Sequence, residues 1–494
     1  MSQPRRRSSR TPSPSAKNTG QAISSPATSP QTPVPHPAPD DRDGWRAYWT
    51  TQGQPWRTEP EIDATRQKAL TAWRAIVPDN EKGTYPFKGK KLTRADVEWL
   101  LATHESGGIV GPVDLENDDR DFREGLDLRG ADLEQVNLQG VQLDRAQLQG
   151  AILFKAQLQG ASLAGAWLER ANLSSAQLQG AYLRVAHLQK AHFSGSQLQG
   201  ARLDEAELQG ANFFYAELQR AHLSFAHLQG ASLMGAKLQG AFLDRAQLQE
   251  ATLDSAKLQG ANLSKAVLEG ATLDKVTLSD EKDGTAYLAD VRWGDPNLAV
   301  IDWEPVRMLG EERRARQKKD GRGETKKKQM RLDEYKEAVR ANRQLAVVLR
   351  NQGLNEEADL FGYRAQVLQK SVLRLQITRQ GAKPEQRLQA LGAWLFSWFL
   401  FLLIGYGFKP SRWLLVYLGT IIMFAALHFL MGTPHPTWLN ALTMSILNLH
   451  GRPFLNAPSG PEGGIDVVEA FVGLIVEAVL IAIITQRILG KEGA

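Results

Sequence analysis

From Leu128 to Leu278 every fifth residue is Leu, or Phe at Phe193 and Phe213. The residue two before it is Ala except at Leu126, Val136, Val141, Ser196 and Val276. No ordinary secondary structure produces this period. A helix turns about 100° per residue and would smear a five-residue repeat around its surface, whereas a strand alternates every second residue. A solenoid in which each five-residue unit makes one side of a coil accommodates it. Small Ala lets the corners close while stacked Leu and Phe fill the axis.

The units Ala131-Asp132-Leu133 and Ala171-Asn172-Leu173 carry the clearest form of the motif, and the run resembles the pentapeptide-repeat family. That resemblance implies a right-handed, four-sided β-helix with four repeats per coil, Leu and Ala inside and the other three positions outside. Nearly eight coils at roughly 4.8 Å per rung predict a rod of about 35 to 40 Å. Each coil protects only its neighbours, so both ends need caps. A second period lies on the first. Leu-Gln-Gly recurs at Gln139, Gln149, Gln159, Gln179, Gln199, Gln209, Gln229, Gln239 and Gln259. Ten residues is half a coil, which predicts two Gln ladders on opposite faces, each amide bonding the ones above and below it. They either reinforce the rod or offer a partner a surface.

Charge limits the function. Some members of the family are thought to imitate DNA, which requires regularly spaced charge of one sign. Between Leu126 and Asp280 stand fifteen Asp and Glu against thirteen Lys and Arg, interspersed as at Asp144-Arg145 and Asp244-Arg245. DNA mimicry does not fit, and no nucleic-acid partner is expected. His187, His192, His222 and His227 fall on outward positions at spacings that do not suit a shared metal. The chain has no Cys, so disulfides and thiolate sites are excluded. No nucleophile with a base, phosphate loop or metal cluster is visible, so no catalytic residue, cofactor or metal ligand is assigned and an enzyme is not expected.

The flanks divide by composition. Residues 1–40, rich in Pro, Ser and Thr around Arg5-Arg6-Arg7, lack the apolar residues for a core and are expected to be disordered. Residues 41–124 hold Trp45, Trp49, Trp56, Trp73 and Trp99. One helix is predicted near Glu59 to Ile76. Another starts after Thr93, with Asp96 completing a capping box. This block leads into the first repeat and is read as its cap. The repeat domain is drawn as 125–306, where Leu288, Trp293, Leu298 and Trp303 resume the register after Lys282-Asp283-Gly284 and close the last coil.

A basic run, Arg313 to Arg331, occupies a linker at 307–331. It reads either as a solvated connector or as a contact for anionic lipid headgroups. Residues 332–380 follow as a helical pair, Leu332–Asn351 and Glu356–Thr378, with Gly353 at the bend and Asn355 as N-cap. Gly353, Ala358 and Ala365 are spaced similarly to a tetratricopeptide repeat, and the pair is read as a connector or oligomerisation element.

The last hundred residues are apolar. Residues 413–431 and 467–486 are long enough for membrane spans, and 438–449 between them is too short. Residues 391–406 either span, which makes three crossings, or lie in the interface, the placement that their Trp residues and the distribution of Lys and Arg favour. Span, short helix, loop, span resembles the two-helix ion-channel family. That resemblance implies a homo-oligomeric pore, a multi-pass protein of the cell membrane and a solenoid in the cytoplasm. Its candidate pore loop is His450-Gly451-Arg452-Pro453-Phe454, which departs from a potassium filter of the Thr-Val-Gly-Tyr-Gly type. Glu469, Gly473 and Glu477 lie four apart along one helix face and are candidates for lining the pore or buttressing the loop. The sequence therefore supports a membrane-anchored, channel-like protein with a docking or sensing rod, or a non-conducting, membrane-tethered scaffold that binds a protein partner through the rod.

Overall fold

The computed structural model describes residues 36–106, 109–114, 123–295, 297–379, 383–404, 410–431, 436–450 and 461–489. The expected disordered tail lies largely outside them. The chain divides into two compact units, Met1–Thr58 and Glu59–Ala494. In the first unit helix α1 (Arg42–Thr51) is capped by Asp41, which accepts from the Gly44 N–H, and it buries Trp45 and Trp49. The Arg57 guanidinium lies over the Trp49 ring at 3.6 Å.

The second unit is built on the repeats. Parallel bridges join Asp127 to Gln147, Asp132 to Ile152 and so on at twenty-residue steps up to Lys257 and Thr277, so four repeats make one coil. Each unit turns through a bond such as Ala131 N–H to Leu128 O (3.0 Å) and hangs on the next coil through one such as Leu133 N–H to Ile152 O (2.8 Å). The Leu and Ala positions are buried throughout, and Phe193 stacks on Phe213 at 4.7 Å and 2°.

The last residue of nearly every repeat has positive φ, whether Gly, as at Gly140, Gly160 and Gly180, or not, as at Arg145, Lys155 and Ser175. Positive φ at the third residue of a hydrogen-bonded turn is the type II geometry, for which Gly is the least strained choice. The Gly of Leu-Gln-Gly therefore answers a corner requirement. The Gln beside it acts differently from the ladder expected. Gln179 donates to Gln197 (2.5 Å), Gln229 to Gln247 (2.5 Å) and Gln199 to Glu217 (2.5 Å), while Gln159 bonds Gln177. The amide sits at a corner and reaches diagonally to the strand residue eighteen positions on, so identical Gln residues do not bond one above another.

Val185 is the least suited of these corner residues, because a β-branched side chain at φ 49° crowds its own backbone. Val185→Gly is expected to stabilise the rod by about 1 kcal/mol despite the added chain entropy. A rise in the midpoint of urea denaturation checks it.

Both ends are closed. At the start, Leu92 donates to Asp132 O (2.9 Å) and Asp132 to Lys90 O (3.0 Å), which adds an extra rung below the first coil. Helices α2 (Ala64–Arg74) and α3 (Arg94–Ala102) cover that rung with Leu70, Val97 and Leu100. The Thr93–Asp96 capping box is present. A short hairpin, β1 (Glu105–Ser106) with β2 (Ile109–Val110), follows. At the far end a second hairpin, β3 (Ser279–Asp280) with β4 (Gly284–Thr285), lengthens the last coil. Asn262 then pairs with Tyr287 and Val267 with Arg292, twenty-five residues apart.

Helices α4 (Gly310–Arg316), α5 (Lys328–Asn351) and α6 (Asn355–Ile377) follow. The helical pair covers the last coil. Leu345, Leu349, Ala358 and Phe361 belong to the same buried cluster as the rod axis, and Phe361 meets Trp303 edge-on at 6.0 Å. Leu354 rather than Asn355 is the N-cap residue of α6, and no side chain caps it. The basic run is partly drawn into the fold: Lys326 is buried against Glu334 (2.8 Å), and Arg316 pairs with Glu312 (2.7 Å).

Four apolar helices end the chain: α7 (Pro384–Ile404), α8 (Pro410–Met431), α9 (Trp438–Leu449) and α10 (Pro461–Leu489). Among the described residues no helix is long and apolar enough to cross a membrane. This corrects the multi-pass placement and the spans at 413–431 and 467–486. Bilayer crossing requires about twenty predominantly apolar residues. Within the expected spans α8 carries a buried His428, and α10 is interrupted by Glu469 and Glu477.

Candidate functional site

Two places gather side chains that the fold alone does not require. The first is an edge of the rod. On one side Tyr182, Arg202, His222 and Phe242 occupy one position of successive coils. Arg202 lies over the Tyr182 ring at 5.7 Å and His222 stacks on Phe242 at 4.7 Å. Three residues further along the same repeats stand Val185, Phe225 and Arg245, with Arg245 over Phe225 at 4.9 Å. Tyr182, Val185, Phe225 and Phe242 are exposed.

Around the adjoining corner Trp167 stacks on His187 at 4.0 Å and 19°, and His187 Nδ1 lies 3.1 Å from Glu207. Trp167, His187, Val185, Arg145 and Arg123 line a groove of about 740 Å³ at the foot of this edge. The face on the other side of Tyr182 is different. Gln177, Gln197, Glu217, Lys237 and Lys257 make it polar, and the bonds of Gln179 and Gln199 run across it.

The second place lies among the C-terminal helices. Asp466 and Glu469 are one turn apart on α10 and so share a face. His428 Nε2 of α8 is 2.7 Å from Glu469 Oε2 and 3.7 Å from Asp466 Oδ1. On α9, Asn448 donates to Asp466 Oδ1 (2.7 Å), and Ser445 bonds Glu469 Oε1 while lying 3.0 Å from the Ile421 carbonyl. Glu469 is fully buried, His428 is 6% exposed and Asp466 7%. Three helices thus converge on one polar point inside apolar surroundings.

The pentapeptide-repeat model matches this chain in eight copies over 124–153, 151–187, 183–214, 216–254 and 253–280. The chain is 35% identical to the crystal structure of HetL from the cyanobacterium Nostoc, described as involved in heterocyst differentiation regulation. That likeness covers 36% of this chain and 83% of HetL, with a TM-score of 0.21. The chain belongs to the pentapeptide-repeat family. A pentapeptide-repeat protein of the Arabidopsis thaliana thylakoid lumen is 31% identical over 19% of this chain and 67% of its own, with a TM-score of 0.16. Rfr23 from the cyanobacterium Cyanothece is 33% identical over 22% and 63%, with a TM-score of 0.15. No curated protein matches the chain.

The pentapeptide repeats stop short of the C-terminal helices, where the sequence-predicted site residues fall out unevenly. Glu469 and Gly473 are brought to the α9–α10 contact. A Cβ on Gly473 would stand 1.8 Å from the Leu449 carbonyl oxygen, so only Gly permits that approach. Glu477 is set apart from Glu469, half exposed and 3.8 Å from His450 Nε2. Of the expected pore loop only His450 is described, as the C-cap residue of α9. Gly451, Arg452, Pro453 and Phe454 lie outside the described residues.

Sequence reasoning missed His428 and Asp466. A signal existed in two i,i+3 pairs, Ser445 with Asn448 and Asp466 with Glu469, each putting polar groups on one face of an apolar helix. It also missed the aromatic edge, which emerges only when the outward positions are aligned at steps of twenty residues.

Proposed function

We propose that this pentapeptide-repeat protein is a non-catalytic scaffold that binds a protein partner along the aromatic edge of its solenoid. The observation that supports it is the row of Tyr182, Phe225 and Phe242 along one edge, each exposed and interleaved with Arg202 and Arg245, whereas the exposed Phe214, Tyr215 and Met234 at the opposite corner carry no Arg between them. Aromatic and Arg side chains are enriched at protein interfaces and carry most of their binding energy. The rod holds them on a rigid backbone ladder, so little side-chain or loop order has to be lost on association. The groove at Trp167 extends the same edge and offers a recess for a partner side chain. A channel reading needs spans that the described helices do not supply, and it is set aside.

A photo-crosslinking residue placed at Tyr182, Phe225 or Phe242 should yield a discrete adduct in cells of origin. The same residue at Gln197 or Lys237 should yield none. With the partner purified, the triple change of these three aromatics to Ser should weaken binding by about 30-fold or more, the scale of a lost hot spot. Adducts spread equally over both faces, or binding untouched by the triple change, would refute the edge as the interface.

A further inference from the structure

The polar cluster of α8, α9 and α10 is not explained by scaffolding. His428, Asp466 and Glu469 present one nitrogen and two carboxylate oxygens that all lie within 4.8 Å of one another. Glu469 and Asp466 bring four carboxylate oxygens. The donors facing them are the single Ser445 hydroxyl proton, the Asn448 amide and at most one N–H at His428 Nε2.

Among the described residues the ion pairs of both carboxylates are with His428 alone. Two buried carboxylates face one imidazole, and a buried charge is costly unless it is paired or coordinates a metal.

We propose that His428, Asp466 and Glu469 form a binding site for one divalent transition-metal ion, of the class of Zn²⁺, Mn²⁺ or Fe²⁺. An imidazole nitrogen with two carboxylate oxygens suits these ions, while Ca²⁺ and Mg²⁺ favour all-oxygen sets. The geometry requires little movement. Ligands on bonds of about 2.0 to 2.2 Å around a tetrahedral ion stand roughly 3.4 Å apart, close to the 2.7 and 3.7 Å already present. The imidazole changes from donating to Glu469 to offering its Nε2 lone pair to the ion, so its proton resides on Nδ1. Ser445 and Asn448 then act as positioning residues, which hold the carboxylate oxygens as outer-shell partners commonly do. The ion ties α8 to α10 and pairs the two carboxylates.

The test uses the purified full-length chain, stripped with chelator and titrated with Zn²⁺, Mn²⁺ and Co²⁺ by calorimetry. Co²⁺ absorption reports the coordination. One ion per chain is expected, with visible Co²⁺ bands and a rise in unfolding temperature. Asp466→Asn and Glu469→Gln keep side-chain size and should weaken binding about 100-fold or more. Asn448→Ala should weaken it about 10-fold, as outer-shell changes do. His428→Gln should abolish the Co²⁺ bands. The unfolding temperature of each variant in chelator shows that it folds. No stoichiometric binding to the wild-type chain, or binding that survives Asp466→Asn and Glu469→Gln in folded protein, would overturn the proposal and leave a hydrogen-bonded core cluster.

Discussion

Phe213→Ala should destabilise the solenoid by about 3 to 5 kcal/mol, the range for removing a buried aromatic ring. Phe213 is fully buried in the axis, one coil from Phe193, and the two rings stack at 4.7 Å. In the coils on either side the same axial position holds Leu173 and Leu233. An Ala there leaves a void bounded by backbone ladders that cannot collapse, because every rung is fixed by bonds such as Phe213 N–H to Ser232 O at 2.7 Å. The loss takes a particular form. Repeat proteins are stabilised by nearest-neighbour terms, so a weak coil in the middle uncouples the two halves. Urea denaturation followed by far-UV circular dichroism should show a lower midpoint and a broadened transition. Phe213→Leu restores the ordinary axial residue and should cost only about 1 kcal/mol. Equal losses for Ala and Leu would show that ring stacking, rather than filled volume, holds the coil.

The far cap should be more stable at pH 5 than at pH 8, and Glu311 is the reason. Its side chain is fully buried at the start of α4, where one oxygen accepts the Ala289 N–H of the last coil. Burial raises its pKa to about 7, against 4.5 for an exposed Glu. Between those two values the folded cap holds a proton that the unfolded chain releases, so stability falls as pH rises from about 4.5 to about 7 and is level beyond. At about 1.4 kcal/mol per unit, the loss approaches roughly 3 kcal/mol. The other oxygen, Oε2, is buried without a hydrogen-bond partner, as suits a neutral carboxyl better than an anion.

Glu311→Gln cannot ionise and should abolish the pH dependence. It should cost about 1 kcal/mol at pH 5, where a buried amide N–H lacks an acceptor. At pH 8 it should be the more stable protein by about 2 kcal/mol. Hydrogen exchange of the Ala286 to Val291 amides, corrected for the intrinsic pH dependence of exchange, reads both effects. An unchanged slope in Glu311→Gln would assign the pH dependence to another group.

The rod is legible in the sequence because its packing is strictly periodic: one residue type per position fixes the axis and the direction each side chain faces, and the family resemblance supplies the coil length. The Thr93–Asp96 cap is legible for the same reason, a local rule at fixed spacing. What escaped were features that depend on relations between coils or between helices. Gln159 reaches Gln177 rather than Gln179 because the corner turns the amide sideways, a matter of backbone direction and not of spacing. The helical pair, read as a connector, packs its Leu345, Leu349 and Phe361 against the rod end. In the C-terminal helices hydropathy gave the element positions but overstated what they do. Hydropathy alone makes Glu469 an intramembrane carboxylate. Its partners His428, Ser445 and Asn448 come from helices whose mutual approach, set by Gly473 against Leu449, the sequence does not announce.

Every coil of the solenoid offers the same row of donors and acceptors to the coil above and below it, and a bare terminal coil would offer that row to another molecule. The strand at Lys90 to Leu92 occupies the row at one end, and the lengthened coil with its hairpin and helices occupies it at the other. They act as chain terminators act in a polymerisation. The repeats contain the full instruction for an endless fibre, and the non-repeating sequence at each boundary makes it a protein of finite length.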